Sequence, residues 1–168
     1  MAKISQFDPK DMFEASRSLI AGAKIIMDCE GINDRGIIEK PTLPVIVCCA
    51  LAIEIGIKAF LILEGKPFPR EGFGHSLKAL FEALPAPIQQ DILSFQAQFT
   101  ELTPPDAKAK LEEEDMTFVN WRYAYEHAFL HTSAAFLHDF GVAVSEMLRI
   151  RLDIPTQPSN ELPHVEQP

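Results

Sequence analysis

The chain has 168 residues, 47% of them hydrophobic, and its 15 basic against 24 acidic side chains give a formal net charge of -9 at pH 7. That size and apolar content fit one folded domain with a sizeable core and exclude wholesale disorder. The acidic balance excludes a protein that coats nucleic acid by broad electrostatics, and leaves only a local basic cleft for such a ligand.

The opening "MAKISQFDPKDMFEA" has no apolar stretch after Lys3, so no signal peptide is expected. A first helix starts at "DPKD", where Asp8 can cap, Pro9 takes the first helical position and Asp11 favours the positive end of the dipole. Phe13, Leu19, Ile20, Ala23, Ile26 and Met27 then recur at helical spacing to about Asp28. After the loop "CEGINDRGIIEKPT", a second helix is expected from Leu43 to Glu64, ending at Gly65 before Pro67. Its segment "LPVIVCCALAIEIGIKAFLIL" is about long enough to cross a bilayer. Glu54 and Lys58 near its middle would each cost roughly 2.5 to 3.5 kcal/mol on insertion. The expectation is therefore the central helix of a soluble bundle, with no membrane partner. Cys29, Cys48 and Cys49 have no metal-ligand spacing and an odd count, which fits a reduced cytoplasmic chain, with Cys48 and Cys49 as small buried apolar side chains.

"KPFPREGFG" reads as a Pro/Gly loop, and "HSLKALFEAL" as a short amphipathic helix broken by Pro85 and Pro87. "APIQQDILSFQAQFTEL" reads as another helix. "TPPDAKAKLEEEDM" reads as a short solvated helix or linker opened by Pro104 and Pro105. From Thr117 to Leu152 the pattern is helical without an internal proline, roughly 50 Å at about 1.5 Å per residue, with Gly141 as a point of bending or weakness. No strand pattern of period two and no internal repeat stands out. Residues 1–153 then form a single helical domain, and 154–168 a disordered proline-rich tail. The fold class expected is all-α: an antiparallel helical bundle of about five helices with one long C-terminal helix.

Projected at about 100° per residue, Phe118, Trp121, Tyr125, Phe129, Phe136 and Phe140 form one stripe of that long helix, its core face. Arg122 lies close to the stripe, so its guanidinium needs a partner. Glu54 is the one acid in the interior of the apolar second helix, and Lys58 one turn later can share its carboxylate; a structural ion pair of Glu54, Lys58 and Arg122 follows. His127, His131 and His138 fall together on the opposite side, with Asn120, Ala124, Ala134 and Ala135. This face can serve as a homodimer interface, weakened as the histidines gain charge on acidification, as a two-imidazole metal site, or as an ordinary packed surface. No cofactor is expected. His75, after Gly74 at the start of a helix, either bonds to loop carbonyls or joins Arg70 and Gly74 in an anion-binding loop for a nucleotide phosphate.

"ALAIEIGIKAFLILEG", "GHSLKALFEALP" and "FVNWRYAYE", in that order and spacing, resemble the HEPN superfamily of small helical proteins, over roughly residues 10 to 150. "GHSL" is similar to the turn that opens a middle helix in that family, and Glu54 with Lys58 matches its "E...K" helix. The resemblance implies a helical bundle, often a symmetric homodimer, that binds nucleotide or RNA or belongs to a two-component toxin-antitoxin or defence module with an antitoxin-type partner protein. In the nuclease branch an arginine, with a histidine four to six residues later, cuts RNA without metal. Carried onto this chain, the catalytic pair is Arg122 and His127. The arginine would neutralise the scissile phosphate while the histidine moves the proton of the 2′-hydroxyl or the leaving oxygen, giving a 2′,3′-cyclic phosphate. Five positions apart on one helix is about 140°, so both reach one site only in a groove beside the helix or between two subunits.

Overall fold

A computed structural model describes residues 7–28, 31–32, 38–39, 42–68, 74–122 and 132–156, the side chains of 31–32, 38–39, 42, 121 and 122 excepted. In chain order the elements are α1 (Pro9–Asp28), β1 (Gly31–Ile32), β2 (Ile38–Glu39), α2 (Thr42–Leu63), α3 (Leu77–Glu82), α4 (Ala86–Gln96), α5 (Pro104–Glu113), α6 (Thr117–Arg122) and α7 (Ala134–Arg151). The strands pair antiparallel, Gly31 with Glu39 and Ile32 with Ile38, a ladder too short to leave alternation in the sequence. Five helices have ten residues or more, and the protein is an all-α bundle.

Helix ends follow the local chemistry. Asp8 Oδ1 accepts the Lys10 N–H at 2.8 Å, capping α1. At the end of α2, Gly65 takes φ +63, its N–H donates to the Ile62 carbonyl, and the Lys66 N–H donates to the Leu61 carbonyl at 2.8 Å. The last carbonyls of the helix are thereby satisfied. The end of α7 repeats this arrangement with Asp153 at φ 54, and the Ile154 N–H donates to the Arg149 carbonyl.

The centre is the packing of α1, α2 and α7. Ser16 Oγ donates to the Ala52 carbonyl at 2.8 Å, so a buried hydroxyl is satisfied across the α1–α2 contact. A Cβ on Gly56 would lie 2.6 Å from Val144 Cγ1, and one on Gly141 would lie 2.3 Å from Ile20 Cδ1. Gly141 therefore does not mark a weak point: its missing side chain lets α7 seat against α1. These contacts align Ser16, Gly56 and Val144 at one level and Ile20, Ile53 and Gly141 at the next. Hence α1 runs antiparallel to both neighbours, while α2 and α7 run in the same direction. Arg151 and Glu64 pair at 2.7 Å where those two helices end. Along α2, Ile46, Cys49, Ile53, Ile57 and Leu61 are fully buried. Residues Leu43–Leu63 are long and apolar enough to cross a membrane, and two-thirds of that window is buried inside this fold.

Two expectations are corrected. The segment read as solvated is docked: α5 buries Ala107 and Leu111, and Glu114 after it is also buried. The helix read as continuous from Thr117 to Leu152 is interrupted, because Thr132 and Ser133 are not helical and Ser133 caps α7, its Oγ accepting the Phe136 N–H at 3.2 Å. Glu114 reinforces this start. Its Oε1 accepts the Ser133 N–H at 2.8 Å and its Oε2 accepts the Thr117 hydroxyl at 2.8 Å, so one buried carboxylate ties the beginnings of α6 and α7 together.

Candidate functional site: the junction of α2, α3 and α6

Glu54 sits in the middle of α2 and is only 4% exposed. A buried carboxylate must be paired, and among the described residues this one has two partners. Lys58, one helical turn on, donates from Nζ to Oε1 at 2.6 Å. His75 Nδ1 lies 3.0 Å from Oε2 and 3.1 Å from Oε1. The Lys58 ammonium also stands 5.8 Å from the centre of the Phe68 ring.

His75 is held there by the first turn of α3. Ser76 caps that helix, its Oγ accepting the Ala79 N–H at 3.0 Å and donating to Asp115 Oδ1 at 2.5 Å. The same Asp115 oxygen accepts the Lys78 N–H at 2.8 Å, and the Asp115 carbonyl accepts the Leu77 N–H at 3.0 Å. With its backbone clasped, His75 turns its ring between Glu54 and Phe118 of α6, ring centres 5.5 Å apart. Among the described residues the imidazole bonds to the Glu54 carboxylate; residues 69–73 of the loop before it lie outside the described residues. Its side chain is 48% exposed, and among the described residues nothing bonds to Nε2. A carboxylate on Nδ1 fixes the ring orientation and leaves the other nitrogen for a ligand or a proton.

The predicted ion pair is present between Glu54 and Lys58. Its third member, Arg122, closes α6 one turn beyond Phe118, but its side chain lies outside the described residues, as do Arg70 of the anion loop and His127 and His131 of the histidine face. Gly74 stands next to His75 in the turn before α3. Of the core stripe, Phe136 and Phe140 are buried, Phe118 is partly exposed, and Tyr125 and Phe129 lie outside the described residues. The break at Ser133 removes the helical register that joined His127 and His131 to His138. The His138 Nδ1 bonds to Asp139 Oδ1 at 3.1 Å, and the ring lines a separate cleft between α1 and α7.

Sequence reasoning missed Asp115 and Glu114 because "EEED" reads as one solvated run. In the fold, Glu112 and Glu113 are exposed, whereas the turn after α5 aims Glu114 and Asp115 inward. The local signal was Thr117, a hydroxyl three residues after Glu114. No protein family, curated protein or solved structure matches the chain.

Proposed function

We propose that the chain is a HEPN-like helical module that binds RNA or a nucleotide, acts as a homodimer, and presents the α2–α3–α6 junction to its ligand. One observation carries this reading: α6, which ends in Arg122, packs on α2 where Glu54, Lys58 and His75 form a charged cluster beside the Phe118 ring. Cations next to partly exposed aromatic rings suit a ligand that stacks its base and needs its phosphate neutralised. Such a site is local, as the net charge of -9 demands. The test is fluorescence anisotropy with a labelled single-stranded RNA and with labelled nucleotide. Wild type should bind with affinity falling as salt rises, and Arg122→Ala and His75→Ala should each weaken binding about tenfold. Salt-independent binding, or none, would sink the reading.

The same placement of Arg122 favours a second reading, a metal-independent endoribonuclease using Arg122 and His127. It predicts that labelled RNA is cut in chelator to fragments ending in 2′,3′-cyclic phosphate. Both Arg122→Ala and His127→Ala, still folded, should abolish the cut. Cleavage that survives either substitution would rule out the pair.

A further inference from the structure

The bonds around Glu54 fix which nitrogen of the His75 ring carries the proton. Lys58 Nζ donates to Glu54 Oε1 at 2.6 Å, and a carboxylate paired with an ammonium is an acceptor only. His75 Nδ1, 3.0 Å from Oε2, is therefore the donor, and the neutral ring keeps its lone pair at Nε2. That nitrogen has no hydrogen bond among the described residues, and the side chain is half-exposed. A carboxylate behind one nitrogen and an open lone pair at the other is how an imidazole is set up as a general base.

The second observation is where this ring stands relative to α6. It meets the Phe118 ring, centres 5.5 Å apart, and Arg122 follows Phe118 by four residues, the next position on the same face of that helix. From the turn before α3, His75 thus approaches the face of α6 that carries Arg122. Metal-independent cleavage of RNA needs two proton transfers. In-line attack puts the entering 2′-oxygen and the leaving 5′-oxygen on opposite sides of the phosphorus, so one imidazole cannot serve both in a single step. The pair of Arg122 and His127 supplies only one.

We propose that His75 is the general base of the cut, taking the 2′-hydroxyl proton on Nε2. This role rests on the endoribonuclease reading and gives it the second proton-transfer group. As the 2′-oxygen bonds to phosphorus, Nε2 takes its proton, and the Glu54 carboxylate faces the imidazolium that forms. The bond from phosphorus to the 5′-oxygen breaks, and that oxygen takes a proton from protonated His127. The products are a 2′,3′-cyclic phosphate and a free 5′-hydroxyl, and proton exchange with water restores both rings. Arg122 neutralises the phosphate throughout.

The experiment is single-turnover cleavage of a labelled RNA by the full chain in chelator, with protein in saturating excess so that weakened binding drops out of the rate. Wild type should cut. His75→Ala and His75→Gln should each cut about a hundredfold more slowly or worse, since neither offers a proton-accepting nitrogen. Added imidazole should restore the His75→Ala rate roughly tenfold or more and leave Arg122→Ala unchanged, a rescue that a protein merely misfolded would not show. Cutting by either His75 variant at the wild-type rate, or a lost rate that imidazole fails to restore, overturns the role of His75 and leaves the endoribonuclease reading standing. No cutting by wild type overturns both.

Discussion

Gly56 and Gly141 both admit a neighbouring helix, yet they do so against different side chains. Alanine at either position gains up to about 1 kcal/mol of helix propensity. At Gly141 the new methyl meets the Ile20 Cδ1, the far end of a side chain that can rotate. At Gly56 it meets Val144 Cγ1, which is fixed because a β-branched residue in a helix holds one χ1 rotamer. We therefore expect Gly56→Ala to be the more destabilising, by about 1 to 3 kcal/mol net. Denaturant titration of both variants checks the order, and an equal or reversed cost would refute it. Cys49 supplies a pH prediction. Burial, with smaller contributions from Cys48 and Asp139, pushes its thiol up to about 12. The unfolded chain ionises its cysteine near 8.5, so the unfolded state holds fewer protons above that pH. Stability from this site is complete below about pH 8.5 and declines as pH rises toward 12. The fall in denaturation midpoint between pH 8 and 11 should be shallower in Cys49→Ala than in wild type.

Among the elements, the caps are where the sequence was most and least readable. Asp8, Pro9 and Gly65 carry strong local preferences, and the structure places them where those preferences point. Ser133 was overlooked because "HTSAAF" contains no proline, glycine or capping glutamate, so apolar spacing on either side ran through it. What decides the break is Glu114, a residue 19 positions away whose carboxylate receives the Ser133 N–H. Pattern reading along one segment cannot register such a partner. Removing that carboxylate leaves a part-buried N–H and the buried Thr117 hydroxyl unsatisfied, a cost of about 1 to 3 kcal/mol, against about 1 kcal/mol for the lost Ser133 side-chain cap. Thermal unfolding should accordingly rank Glu114→Ala below Ser133→Ala. At the other end of α7, Asp153 sits in the left-handed region that glycine adopts without strain. Asp153→Gly should raise stability by about 0.5 to 1 kcal/mol, a Tm increase of roughly 1 to 4 °C, and a lower Tm would contradict the strain.

For the whole molecule, the helical class and the central position of α2 followed from apolar spacing and from Glu54 and Lys58 acting as a pair. The ligand-facing arrangement did not follow, because it depends on which segments meet. His75 finds Glu54 only after Asp115 has clasped α3, and His138 lines its cleft only when α1 lies alongside α7. The direction of the helices has a consequence during synthesis. α2 emerges early, but the groove that holds Val144 beside Gly56 is closed by the last helix of the described chain. The most apolar segment must therefore wait, partly uncovered, while nearly half the protein is made, and the long loop closure then slows the final docking. A nascent chain arrested before residue 134 should stay protease-sensitive across α2 and engage a chaperone, whereas release of the α7 segment should give protection in a single cooperative step.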